Sequence, residues 1–198
     1  PNRPWSKVGV DLFEFNQKSY LITVDYFSNF IEVDRLEHTK SRDIIHKIKA
    51  HFARYGIPDT VVSDNGPQFL SEEFQNFAKK WGFKHVTSSP YYPQSNGLAE
   101  NAVKTVKRLM RRAQIVQGDT YLALIDLRNT PTQGMSTSPM ERLMSRQAKT
   151  LLPTAEVLLK PKLSENIMEE KNKMKEKQRK YYNLNAKDLS PLKTGDIV

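Results

Sequence analysis

The hydrophobic pattern of the chain first changes period near residue 40, and that change limits the fold more than any other feature. Before it, residues 7–15, 20–26 and 30–36 are apolar-rich, β-prone runs with short connections, the first closed by the polar turn Asn16-Gln17-Lys18-Ser19. They predict three strands in an antiparallel meander. After it, Ile44, Ile45, Ile48 and Phe52 recur at helical spacing, with Ser41 to cap the start and Gly56-Ile57-Pro58 to stop the helix. Thr60-Val61-Val62-Ser63 reads as a short buried strand. Phe74, Phe77, Ala78 and Trp81 mark a second amphipathic helix, capped by Ser71, with Glu72 and Glu73 in its first turn and Gly82 at its end. Residues 84–88 form a fifth strand, and 89–96, rich in Pro, Tyr and Ser, a loop. A long helix follows over about 97–117, broken by Gly118-Asp119, then a helix over 120–129 and a short one beginning at Ser138-Pro139. Helices packed against a mixed five-stranded sheet make an α/β fold.

From about Thr150 the character shifts. Residues 160–180 are rich in Lys and Glu, and their apolar side chains are sparse. Ile167, Met174 and Tyr181 stand seven apart, too few heptads to define a coiled coil. The segment reads as a solvated linker helix, with a dimerising helix as the alternative. Residues 192–198 resemble the opening of a further β domain. The expected division is a core over 1–148, a linker with a charged helix over 149–190, and the beginning of a C-terminal β domain over 191–198. A start without Met and an abrupt end are expected of a segment of a longer polyprotein.

Charge and composition narrow the partners. The formal net charge is +9 over 198 residues. Such an excess points to a polyanion, nucleic acid first and an anionic membrane surface second. There is no cysteine, which removes disulfides, thiolate zinc sites and cysteine nucleophiles from this stretch. No apolar run approaches the roughly 20 residues needed to cross a bilayer. His38, His46, His51 and His85 show no tight ligand spacing, so no zinc is assigned.

Three acidic residues stand out by context. Asp11 lies inside the first strand among apolar neighbours, in Val8-Gly9-Val10-Asp11-Leu12-Phe13. Asp64 lies where the fourth strand ends, a common ligand position. Glu100 lies in the first turns of the long helix. Carboxylates from a mid-strand, a strand end and a helix can converge on Mg²⁺, a hard cation that takes oxygen ligands. Two such ions about 4 Å apart support in-line displacement at phosphorus. Each residue also has an ordinary explanation: an exposed strand Asp, the turn-forming Asp64-Asn65-Gly66, a Glu complementing a helix amino terminus. Composition and spacing do not by themselves select the three.

Resemblance selects them. Ser63-Asp64-Asn65-Gly66-Pro67-Gln68-Phe69 and Tyr92-Pro93-Gln94-Ser95-Asn96-Gly97-Leu98-Ala99-Glu100 closely resemble the integrase core of Ty3/Gypsy-type retrotransposons and their retroviral relatives, with 35 residues between Asp64 and Glu100. The run from Trp5 to Phe13 is similar to the segment bearing that family's first aspartate, and Val24-Asp25-Tyr26-Phe27-Ser28 to its second strand. The resemblance covers roughly residues 4–145. It implies a ribonuclease H-like fold in which Asp11, Asp64 and Glu100 bind Mg²⁺ or Mn²⁺, two ions in all. It implies water-driven cleavage near the 3′ end of element DNA, then attack of the freed 3′ hydroxyl on target DNA. It also implies a homo-oligomer, action in the nucleus, and the possibility of a chromatin-tethering partner. Members of the family carry an upstream zinc domain and a downstream β domain. The alternatives are a domesticated, non-catalytic DNA-binding protein derived from an integrase, and a ribonuclease H or bacterial-type transposase on the same fold.

The long helix supports the reading on its own. Lys104, Lys107, Arg108 and Arg111 fall at i, i+3, i+4 and i+7, one turn beyond Glu100, and share a face. Ala102, Val106, Leu109 and Ala113 form a separate apolar stripe. A cationic stripe beside metal-binding carboxylates suits a phosphate backbone; an ordinary solvated basic face is the alternative. In the preceding loop, Tyr92, Gln94 and Asn96 are expected to stack on or hydrogen-bond a nucleotide.

Overall fold

In the computed structural model, residues 1–88, 97–162 and 166–183 are described. Strands β1 (Lys7–Phe15) and β2 (Lys18–Asp25) form a hairpin closed by Asn16 and Gln17 alone, both with positive φ. A two-residue turn of that hand matches the right-handed twist of its strands, so β2 begins two residues earlier than periodicity predicts. β3 (Ile31–Leu36) pairs antiparallel with β2, giving the expected meander. β4 (Thr60–Ser63) then pairs parallel with β1, and β5 (Lys84–Thr87) parallel with β4. The resulting mixed sheet has the order β3-β2-β1-β4-β5.

Alternation along the strands sends side chains to two cores. On one face Val8, Val10, Leu21 and Leu36 meet α1 (Ser41–Tyr55), α2 (Pro67–Leu70) and α3 (Glu72–Trp81) through Ile44, Ile48, Phe52, Phe69, Phe74 and Phe77. On the other face Phe13, Ile22, Val24 and Ile31 meet α4 (Gly97–Ile115) through Ala99, Ala102, Val106 and Met110. Each large side chain so buried contributes about 1.5–3 kcal/mol. Gly82 leaves α3 in the left-handed conformation and Ser71 caps its start, both as the pattern predicts.

Local differences have local causes. Ser41 is the first residue of α1 rather than its cap, and its hydroxyl donates to the Gln68 carbonyl at 2.9 Å, tying α1 to α2. The short helices α2 and α7 (Glu156–Leu159) are too brief to leave a periodic signal. On α4 it is Met110 that faces the sheet; Leu109 is half-buried on the side toward α5 (Thr120–Asn129). Asp119 caps α5, and α6 (Pro139–Met144) starts with a capping box between Ser138 and Glu141.

The C-terminal helix departs from a purely solvated linker. α8 (Ile167–Tyr182) buries no residue completely, yet it rests on the core. Glu170 accepts hydrogen bonds from the hydroxyl and the backbone N–H of Ser136, at 2.6 and 3.1 Å, and Met174 lies against Gly134. Lys171 donates to the carbonyls of Tyr26 and Phe27. Of the heptad residues, Ile167 and Met174 are half-buried and Tyr181 is exposed, and the polar contacts of Glu170 and Lys171 between them leave no heptad signal. Residues 191–198, expected to open a β domain, lie outside the described residues. Among the described residues no helix is long and apolar enough to cross a membrane.

Candidate active site

Strand register places the first two carboxylates. Gly9 on β1 stands opposite Val62 on β4, and the two strands run parallel. Two residues further along each come Asp11, still inside β1 and on the same side as Gly9, and Asp64, one residue past the end of β4. That side is the α4 side: a methyl group on Gly9 would stand 3.5 Å from the Ala99 Cβ. Glu100 follows Ala99 in the first turn of α4. The fold therefore brings Asp11, Asp64 and Glu100 to one end of the sheet from three distant stretches of chain.

Electrostatics agrees with that placement. Burial, together with the charges of Asp64 and Glu100, pushes the Asp11 carboxyl up to about 6, against the opposing pull of a Leu12 backbone hydrogen bond and of Lys107. Asp11 is half-buried, whereas Asp64 and Glu100 are exposed. Asp11 Oδ1 accepts from the Leu12 N–H at 2.8 Å, and Asp64 Oδ1 from the Gly66 N–H at 3.0 Å. Each thus has one oxygen turned to its own backbone. Among the described residues no group of three His, Asp or Glu side chains is drawn in to the spacing of a metal cage. The donor set itself, three carboxylates with mutual repulsion and no sulfur, fits a hard divalent cation.

The cationic stripe divides. Lys107 is half-buried, with its ammonium 5.8 Å from the Phe13 ring centre and its charge felt at Asp11. Lys104 and Arg111 are exposed on the same side of α4 as Glu100. Arg108 stands at the other flank, on the rim of a cavity of about 450 Å³ between α4, α5 and the β2–β3 turn. Tyr92, Gln94 and Asn96 lie outside the described residues. His51, on α1, is fully buried on the sheet face opposite α4, its ring between Thr23 Oγ1 at 2.9 Å and Asp34 Oδ2 at 2.5 Å. His85 reaches Ser63 Oγ at 2.9 Å, just behind Asp64.

Asp25 is a site residue of another kind. It is fully buried and accepts from the N–H groups of Trp5, Phe27 and Ser28 and from the Ser28 hydroxyl. Sequence context offered one clue, the aspartate closing an apolar strand before Tyr26-Phe27-Ser28, but not its depth.

A five-stranded mixed sheet of this order, covered by helices on both faces and bearing carboxylates where β1 and β4 meet α4, defines a ribonuclease H-like domain. Residues 1–93 match the family model of the integrase core domain. An uncharacterized protein of Caenorhabditis elegans is 33% identical over 175 residues, which is 83% of this chain and 14% of that protein. The Gag-Pro-Pol polyprotein of squirrel monkey retrovirus is 34% identical over 113 residues, 57% of this chain and 6% of the polyprotein. The chain thus spans a small part of the length of the curated relatives it matches. Among solved structures, the catalytic core domain of BIV integrase superposes with a TM-score of 0.60 at 25% identity, covering 71% of this chain and 94% of that one. A chain of the simian T-cell lymphotropic virus intasome in complex with PP2A regulatory subunit B56 gamma superposes with a TM-score of 0.65 at 23% identity, over 83% of this chain and 61% of that one. The HTLV-2 integrase catalytic core domain in complex with magnesium, in a trimeric form, gives 0.60 at 22%, over 72% and 98%. The last two likenesses speak to the fold. The chain belongs to the integrase cores of the retroviral and retrotransposon type.

Proposed function

We propose that this chain is the catalytic part of a retroelement integrase that trims the 3′ ends of element DNA and joins them to target DNA. The observation that supports this reading is that Asp11 feels the charges of Asp64, Glu100 and Lys107 together, although the three acids lie at a single end of the sheet without the spacing of a metal cage. On this reading, Asp11, Asp64 and Glu100 hold Mg²⁺ or Mn²⁺. Such ions, when bound, supply Lewis-acid polarisation of a phosphodiester and neutralise charge that develops on its oxygens. The chain's own residues do the rest. Lys104, Lys107 and Arg111 line the same side of α4 and hold the DNA backbone by charge, independent of base sequence. The half-buried setting of Asp11 keeps bulk water from screening its charge. The relative solved as a magnesium complex supports the metal, and those solved as an intasome and as a trimer support DNA and self-assembly as partners. Nuclear action, a chromatin tether and the domain limits at 148 and 190 belong to the same proposal.

The test is strand transfer with oligonucleotides bearing the element's ends, in Mg²⁺ or Mn²⁺, using the protein with its flanking domains. Asp64→Asn is expected to abolish joining while the folded-state spectrum is unchanged. Joining by Asp64→Asn at the wild-type rate would end the assignment. DNA binding without any cleavage by the wild type would favour a domesticated binding protein, and a preference for RNA/DNA hybrid a ribonuclease H. A second expectation concerns the stripe. Lys104→Ala with Lys107→Ala weakens duplex binding and flattens the slope of log affinity against log salt by about 2, the share of two phosphate contacts. An unchanged slope in a salt titration contradicts the face.

A further inference from the structure

The β2–β3 turn, residues 26–30, is held from distant parts of the chain. The Asp25 carboxylate gathers its N–H groups at Phe27 and Ser28. Its carbonyls are taken by cations from the C-terminal half: Arg142 Nε donates to Ser28 O at 2.9 Å, and Lys171 Nζ donates to Tyr26 O and Phe27 O, both at 2.5 Å. Lys171 also lies 5.5 Å from the centre of the Phe27 ring. Because Glu170 and Met174 anchor the same face of α8, the ammonium is delivered to this turn by a helix docked at three points.

The side chain of the turn's first residue reaches the other way. Tyr26 Cε2 stands 3.2 Å from the point a β-carbon on Gly9 would occupy, and the Ala99 Cβ stands 3.5 Å from it. The ring therefore fills the space left by the missing side chain, between β1 and the first turn of α4. Asp11 is two residues along β1 from Gly9, and Glu100 is next to Ala99. We infer that Lys171 is a positioning residue for the carboxylate site: by pinning the Tyr26 and Phe27 carbonyls, α8 holds the Tyr26 ring between Gly9 and Ala99 and sets where Glu100 stands relative to Asp11. Packed interiors pass on such a displacement because they contain little slack. The purpose of this positioning rests on the proposed function; its existence does not.

Two readouts separate these. In metal-free protein, Lys171→Ala is expected to speed amide exchange over residues 97–103 by about fivefold or more, while α1 exchanges at the wild-type rate. With Mn²⁺ alone as the probe, the concentration giving half the maximal thermal shift rises severalfold. Lys171→Arg, which keeps a cation and its donors, returns both values toward wild type. Lys171→Met keeps the aliphatic stem and serves as a second variant should the alanine protein fold poorly. Wild-type exchange over 97–103 in Lys171→Ala or Lys171→Met overturns the inference. So does acceleration spread evenly over the whole core, which marks a merely structural contact. A wild-type protein that shows no Mn²⁺ shift contradicts the proposed function instead, and the exchange data still decide the positioning.

Discussion

Asp11→Asn raises the stability of the metal-free protein and eliminates DNA joining. The two effects share one cause. The folded protein holds the Asp11 carboxyl at about 6, above its ordinary 3.8, through burial and the charges of Asp64 and Glu100. An acid whose pKa is raised by folding binds more protons folded than unfolded, so it costs stability once the pH exceeds the unfolded value. The penalty is absent below about pH 4, grows between about 4 and 6, and is complete above that range. The rise from 3.8 to about 6 corresponds to at most about 3 kcal/mol. Asp11 is half-buried, and solvent screening reduces this to about 1–2 kcal/mol. Asparagine carries no charge to repel, so the variant should unfold a few degrees higher at pH 7.5 in EDTA. Its advantage should vanish near pH 4. Joining should fall by at least about a thousandfold, since a bound cation supplies several kcal/mol to the transition state. Thermal melts across pH check the first effect and oligonucleotide joining the second. A variant less stable than wild type at pH 7.5 refutes the assigned crowding of carboxylates.

Asp25→Ala acts on the fold alone and is expected to be the most damaging single change. The carboxylate is fully buried and serves three backbone N–H groups and one hydroxyl. Its removal leaves buried donors without partners, each costing about 1–3 kcal/mol. The costs do not add fully, so the expected loss is about 3–5 kcal/mol, on the order of a 10 °C fall in Tm for a chain of this size. Asn at this position keeps some acceptors and should lose less. Denaturant titration at neutral pH measures both. A loss below about 1 kcal/mol for alanine shows that water or a shifted backbone serves those donors instead.

The two aspartates illustrate what a sequence can and does not disclose. Asp11 and Asp25 look alike in the chain, each an acid in an apolar strand. Resemblance marked Asp11 as chemical, whereas for Asp25 it marked only a strand and left the depth of the carboxylate unread. Local rules served well where structure is locally determined: a turn after the first strand, the Ser71 cap and the stop at Gly82 all follow from neighbours in sequence. They served less well where a helix chooses its contacts. Lys107 and Arg108 share a predicted face, but Lys107 leans toward Asp11 and Arg108 toward α5. The charged helix reads as solvated until Lys171 is seen on the Tyr26 and Phe27 carbonyls.

By itself, then, the sequence determined the kinds of element and their order, because periodicity and caps are written in neighbouring residues; the choice of Asp11, Asp64 and Glu100 came from resemblance and not from spacing. Tertiary structure alone decided that Gly9 leaves room for Tyr26, that the charges of Asp64 and Glu100 act on Asp11, and that α8 returns to the core. Those outcomes depend on contacts between residues tens to more than a hundred positions apart, and a linear pattern carries no record of which distant surfaces fill one another's gaps.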